Sequence, residues 1–90
     1  MSDAHLHRIH SDDDVAVTFS ALKPGEFVEL DGQRIQILGN VPKFHKVSIK
    51  PIMKGQKVRK YGEHIGLATQ EILVGEHVHI HNMKGLSKNE

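Results

Sequence analysis

Ile72-Leu73-Val74-Gly75-Glu76-His77-Val78 is the stretch whose reading decides the fold, because its pattern recurs. Leu22-Lys23-Pro24-Gly25-Glu26-Phe27-Val28 and Ile52-Met53-Lys54-Gly55-Gln56-Lys57-Val58 share it: an aliphatic residue, two spacers, Gly, Glu or Gln, any residue, then Val. A looser copy, Val41-Pro42-Lys43-Phe44-His45-Lys46-Val47, carries Phe44 where Gly would fall. The pattern is that of a tight turn feeding a strand. Gly takes the positive φ that other residues avoid, and Pro24 presets its turn. The aliphatic residue tucks under the turn and the final Val enters the sheet.

Outward from these turns, candidate strands run over 16–19, 27–30, 33–37, 46–49, 57–61, 65–68 and 76–81. Asp31-Gly32 between two of them is a strong hairpin signal. Helical signal is poor; 20–22, 50–53 and 69–73 could each form a single helical turn before their glycine. The expectation is a mainly β, loop-rich single domain with short helical turns. It spans 13–83, between an N-terminal tail (1–12) and a C-terminal tail (84–90), with frayed ends.

The last strand carries the densest chemistry. In Glu76-His77-Val78-His79-Ile80-His81-Asn82, three histidines alternate with β-branched residues. On a strand, Val78 and Ile80 would face the core, and His77, His79 and His81 would line the other face, roughly 6–7 Å apart. Imidazoles so placed can converge on a metal ion or an anionic substrate. They can equally be the wet face of a half-buried strand.

Phe44-His45-Lys46-Val47 sets a histidine beside a lysine. Lys46 can bind a carboxylate or phosphate and His45 can shuttle a proton; two solvated loop residues are the plainer reading. In Lys60-Tyr61-Gly62-Glu63-His64-Ile65-Gly66, Lys60 and the only tyrosine could present donors to an oxyanion, or Tyr61 could cap a small core. His10-Ser11-Asp12-Asp13-Asp14 lacks the alternation and Gly of a calcium loop and reads as a polar loop before a strand.

Composition sets the outer bounds. Ninety residues with 38% hydrophobic and 4% aromatic content supply few large core side chains, which favours surface completed by another chain. A net charge of +1 argues against nucleic-acid binding, and the basic stretch Lys54–Lys60 reads as a solvated strand face. Without cysteine there are neither disulfides nor thiolate metal sites. No apolar run is long enough to span a bilayer and no secretory signal is visible, so a cytoplasmic location is expected. Motifs of self-sufficient hydrolases, nucleotide binders and metalloproteases are absent. Any chemistry here is expected to be lent to a site shared with a larger subunit.

The order His45-Lys46-Val47, Gly55, Lys60-Tyr61-Gly62-Glu63-x-Ile65-Gly66-x-Ala68-Thr69, then Gly75-Glu76-His77-Val78-His79-Ile80-His81-Asn82 resembles the N-terminal SAF domain of the altronate/galactarate dehydratase family. The same domain occurs as a free-standing small subunit, including that of sulfolactate sulfo-lyase. The resemblance runs from about Asp13 to Asn82; before Val41 it rests on spacing and turn pattern only. It implies a β-clip fold. It also implies elimination of water, or sulfite, from a hydroxy acid with a divalent metal: iron, manganese or magnesium. That metal would be held mainly by a large catalytic subunit that this chain does not contain. The family usually has Gly at the position of Phe44, which alters the turn before His45. As catalytic residues the resemblance points to His45, His79 and His81, with Lys46, Tyr61 and Asn82 behind them, and as metal ligands to His77, His79 and His81. The expected role is the small subunit of a two-subunit altronate-dehydratase-type lyase, inactive alone, with no nucleic-acid or membrane partner, and open to self-association when isolated. Two alternatives stand beside it: a non-catalytic SAF module that binds a carbohydrate or other ligand, and a metal-binding scaffold that uses the histidine strand as a chelate.

Overall fold

The computed structural model describes residues 4–7 and 12–85. Its strands are β1 (Ala4–His7), β2 (Val15–Thr18), β3 (Phe27–Leu30), β4 (Gln33–Gln36), β5 (Lys46–Ser48), β6 (Lys57–Lys60), β7 (Glu63–Ala68), β8 (His77–Val78) and β9 (Met83–Gly85). One sheet has the order β4-β3-β1-β2-β5-β8 and a second has the order β6-β7-β9. β1 runs parallel to β3; the other neighbours are antiparallel. The fold is therefore mainly β, as the sequence suggests. Ala4–His7, within the expected N-terminal tail, lies in the sheet between β3 and β2. Residues 86–90 of the expected C-terminal tail, like His10 and Ser11, lie outside the described residues.

The repeated pattern is the skeleton of this fold. Its aliphatic residues (Leu22, Val41, Ile52, Ile72) and its valines (Val28, Val47, Val58, Val78) are all buried. In three copies the Glu or Gln closes the turn twice. The backbone N–H of Glu26, Gln56 and Glu76 donates to the carbonyl of Lys23, Met53 and Leu73. Their side-chain oxygens accept in return from the N–H of the same three residues, each at 3.1 Å. The helical turns expected at 20–22, 50–53 and 69–73 do not form; no helix occurs among the described residues. The physical reason is that the backbone there is committed to partners far along the chain. Leu22 exchanges both backbone bonds with Val41, and Ile52 with Ile72, at 2.8–2.9 Å.

Two cores result. Leu22, Val28, Ile35, Val41 and Val47 belong to the first. Ile52, Val58, Ile72 and Val78, with Ile65 packed against them, hold the matching places in the second. β2 joins them. All four of its residues are buried, and by strand alternation Ala16 enters the first core and Val15 the second. Burial of a Val, Leu or Ile contributes roughly 1.5–3 kcal/mol each, so these eight repeat positions carry much of the stability.

Each half also has a hairpin. Asp31-Gly32 joins β3 to β4 with φ of 50° and 80°, and Tyr61-Gly62 joins β6 to β7 with φ of 56° and 77°. Positive φ at both central residues suits the strand twist. Tyrosine is unusual there, and Asp13 supports it. The buried Asp13 carboxylate accepts from the N–H of Tyr61 (2.9 Å) and of Gly62 (2.8 Å). Asp14, also buried, accepts from the N–H of Arg59 at 2.9 Å. The polar-loop reading of Asp12-Asp13-Asp14 is thus corrected for two of its residues: they lie inside, because the start of β2 packs along the β6 hairpin.

Candidate functional site

β5 and β8 lie side by side, with Lys46 opposite Val78 and Val47 opposite His77. That register brings the end of one repeated turn against the end of another. His45, His77 and His79, all half-buried, each offer a ring nitrogen, and these nitrogens lie within 4.8 Å of one another. His45 Nδ1 and His77 Nε2 are 2.9 Å apart, close enough to share a proton. The His77 and His79 rings stack at 5.5 Å, and His45 lies 4.8 Å from His79.

The strand expected over 76–81 is shorter than the alternation suggests. It covers only His77–Val78, and the chain then turns. The His79 carbonyl accepts from the N–H of both Asn82 and Met83. The Asn82 side chain fixes this turn: its amide donates to the His77 carbonyl at 2.9 Å, and its oxygen accepts from the His79 N–H at 3.0 Å. Ile80, expected in the core, is therefore 84% exposed. His81 is also exposed at the turn, its ring 5.3 Å from that of His77 but outside the three-nitrogen group.

Of the residues singled out in the sequence, His45, Lys46, His77 and His79 come together here, with His81 beside them. Asn82 is wholly buried beneath, where it ties the backbone of His77 to that of His79. Tyr61 is an exposed hairpin tip with the Lys60 ammonium 4.6 Å from its ring centre. Lys60 links it electrostatically to the site, since its charge acts on Lys46. His64 does not join the cluster; Arg59 Nε donates to its Nε2 at 3.0 Å.

The site disfavours added positive charge. Burial holds Lys46 below its ordinary pKa, helped by Lys60. Burial, then repulsion from His45, His81, His79 and Lys46, pulls His77 down to about 4. His79 is lowered by desolvation, then by His45, Lys46 and His81. At neutral pH His77 is thus an uncharged imidazole with a lone pair to offer, which is the form that binds metals. Three imidazole nitrogens suit iron better than magnesium or manganese, which prefer oxygen donors.

An open groove of about 460 Å³ adjoins the cluster, lined by Leu38, Gly39, Asn40, Glu76, His77 and His81. A somewhat larger hollow of about 510 Å³ lies around Asp14, Lys50, Gln56 and Arg59. It holds none of the clustered histidines, and its Arg59 is engaged by Asp12 and His64. The chemistry therefore points to the smaller groove. Sequence reasoning read Asp13 as a loop residue and did not single out Leu38 or Asn40, which line the groove and carried no signal.

Comparison with known proteins identifies the family of the chain. Residues 4–86 match the family model described as the altronate/galactarate dehydratase SAF domain. The chain is 40% identical over 77 residues to an altronate dehydratase of Escherichia coli (strain K12), and 34% identical over 77 residues to one of Bacillus subtilis (strain 168). Each match covers 86% of this chain and 16% of the dehydratase, so the chain spans only a small part of those relatives. It is also 41% identical over 51 residues to a (2R)-sulfolactate sulfo-lyase subunit alpha of Paracoccus pantotrophus, covering 57% of this chain and 76% of that one.

Proposed function

This chain belongs to the altronate/galactarate dehydratase SAF domain family, and from that premise we propose that it completes the active site of a larger hydroxy-acid lyase chain. The reaction would be metal-dependent elimination of water from a sugar acid. The observation that carries the proposal is the convergence of His45, His77 and His79, from two distant turns, on one open face beside Lys46. A lone domain with so shallow a groove encloses no substrate.

His45, His77 and His79 are the residues that would hold a divalent ion, iron best fitting their nitrogens. When bound, such an ion supplies Lewis acidity toward the hydroxy acid. Protein groups do the rest. A base of the larger chain would take the proton α to the carboxylate, negative charge would build on the substrate, and the β-hydroxyl would leave as water. Lys46 faces that charge, and Lys60 adds to the same field. His81, outside the three-nitrogen group, would carry a proton to the departing hydroxyl. Asn82 keeps the His77–His79 turn in shape.

The test is reconstitution. The chain, combined with the large dehydratase-like chain of its own cell, should turn over altronate or galactarate when neither part does so alone. Lys46→Ala should lower that rate roughly 100-fold or more while leaving the fold intact. A complex that eliminates nothing from any hydroxy acid would sink the proposal. A second reading, elimination of sulfite, is supported by the 41% identity to the sulfo-lyase subunit; sulfite released from sulfolactate in the same assay distinguishes it.

A further inference from the structure

The carboxylate of Glu76 caps its own turn with only one of its two oxygens. Oε1 accepts from the Leu73 N–H at 3.1 Å. Gln56 makes the same bond in its sister turn at the same distance, so the cap needs an oxygen and not a charge. The second oxygen, Oε2, is bonded to none of the described residues. Glu76 is half-buried and lines the open groove beside the cluster, which the Leu38–Asn40 segment and the histidine turn line together. These two segments are fixed to each other, since the Leu38 N–H donates to the Gly75 carbonyl at 3.0 Å. Besides the imidazoles of His77 and His81, the groove offers an exposed amide at Asn40, an apolar surface at Leu38 and the Glu76 carboxylate. None of the described residues that line it is a lysine or arginine.

We propose that Glu76 and Asn40 select the substrate: the groove takes the hydroxyl-bearing tail of a sugar monoacid and turns away a diacid, an inference that rests on the lyase function proposed above. A sugar acid held by its reacting end at Lys46 and the clustered imidazoles must lay the rest of its carbon chain nearby, and the groove shares His77 with that cluster. Lys46 pairs with Val78, two residues on from Glu76, so about 6–7 Å of extended chain sets the carboxylate apart from the cation. Hydroxyls of the tail donate to Glu76 Oε2 and exchange bonds with the Asn40 amide, while the C–H face lies on Leu38. A tail that ends in a second carboxylate meets the Glu76 carboxylate with no cation in the groove to pair it, and that like-charge contact excludes it. Altronate carries one carboxylate and a hydroxyl tail, whereas galactarate carries a carboxylate at each end. The two differ at the end that the groove reads.

Steady-state kinetics of the complex reconstituted with the large chain of its own cell test the selection, with altronate and galactarate as the two probes. The unaltered complex should favour altronate in kcat/KM roughly tenfold or more. Glu76→Gln should leave Tm unchanged, because Gln56 caps its turn equally well. It should lower the KM for galactarate roughly tenfold and change that for altronate far less. Asn40→Ala should raise the KM for altronate roughly fivefold with kcat unchanged. An unaltered complex that uses galactarate as well as altronate, or a Glu76→Gln complex whose preference between them is unchanged, would overturn the selection and leave the lyase reading standing. Action on sulfolactate alone, which has no hydroxyl tail, would overturn it too and leave the lyase reading in its sulfite form. If the complex eliminates nothing from any hydroxy acid, both readings fall.

Discussion

The turns at Val41–Val47 and Ile72–Val78 follow one plan, and their ends pair across β5 and β8, yet they are put to different uses. In the later turn Gly75 takes a φ of 93° and Glu76 accepts the Leu73 N–H. In the earlier one Phe44 stands in the glycine's place and His45 in the glutamate's. The exchange has a physical basis in Pro42. Proline has no N–H, so the bond that Glu26, Gln56 and Glu76 accept in the other copies has no donor here. The position is released from closing the turn, and the backbone bond from His45 N–H to the Pro42 carbonyl at 3.1 Å still holds the shape. A repeated structural element thus acquires a reactive side chain where its own capping bond is dispensable.

The harshest way to probe this contrast is Gly75→Ala. Besides the strained φ, a Cβ there would overlap the Gln36 carbonyl, and neither backbone can readily give way. The expected loss is about 3–4 kcal/mol, read from urea unfolding. Gly55→Ala, with open space around its Cβ, should cost only about 1–2 kcal/mol. Similar losses at both positions would show that contact with β4 is irrelevant.

Asp13→Ala comes next and concerns the two hairpins. Asp31-Gly32 turns with aspartate at its first positive-φ residue, whereas Tyr61-Gly62 relies on the Asp13 carboxylate. Removal of that acceptor should destabilise by about 2–3 kcal/mol, and amide exchange should speed up at Tyr61 and Gly62 first. Equal protection in the variant would refute the support assigned to Asp13.

Glu76→Ala against His45→Ala is a finer comparison. The first deletes an exposed capping bond and should cost about 0.5–1 kcal/mol. The second should stay within about 0.5 kcal/mol of the unaltered protein, while it abolishes metal binding followed by calorimetry. A larger cost for His45→Ala would mean that the earlier turn is structural after all.

The gentlest probe is pH. His77 falls from 6.5 to about 4 on folding, so the unfolded chain takes up this proton first. The contribution of His77 to stability is complete above pH 6.5 and is lost as pH drops toward 4. Because the site is open to water, the decline should be graded and small. In His77→Gln the stability profile between pH 6.5 and 4 should flatten; an unchanged slope would assign it to other groups.

The repeat was legible in the sequence because a buried aliphatic residue, a turn glycine and a buried valine must keep fixed spacing for each turn to feed its strand. The Asp31-Gly32 hairpin was legible for the same local reason. The histidine run was recognised, but its shape was misread: alternation through Ile80 implied a continuing strand, and only the buried amide of Asn82, which ties the His77 carbonyl and the His79 N–H, converts it to a turn.

Sequence by itself therefore determined the β class, the turn positions, the core positions of the repeat and the family resemblance. These rest on local backbone preference and on the period of apolar residues, both written in neighbouring positions. Tertiary structure alone decided that His45 joins His77 and His79, that Ile80 faces outward and that Asp13 closes a distant hairpin. Such outcomes depend on which strands lie side by side, and strand pairing links residues dozens of positions apart that no local pattern connects.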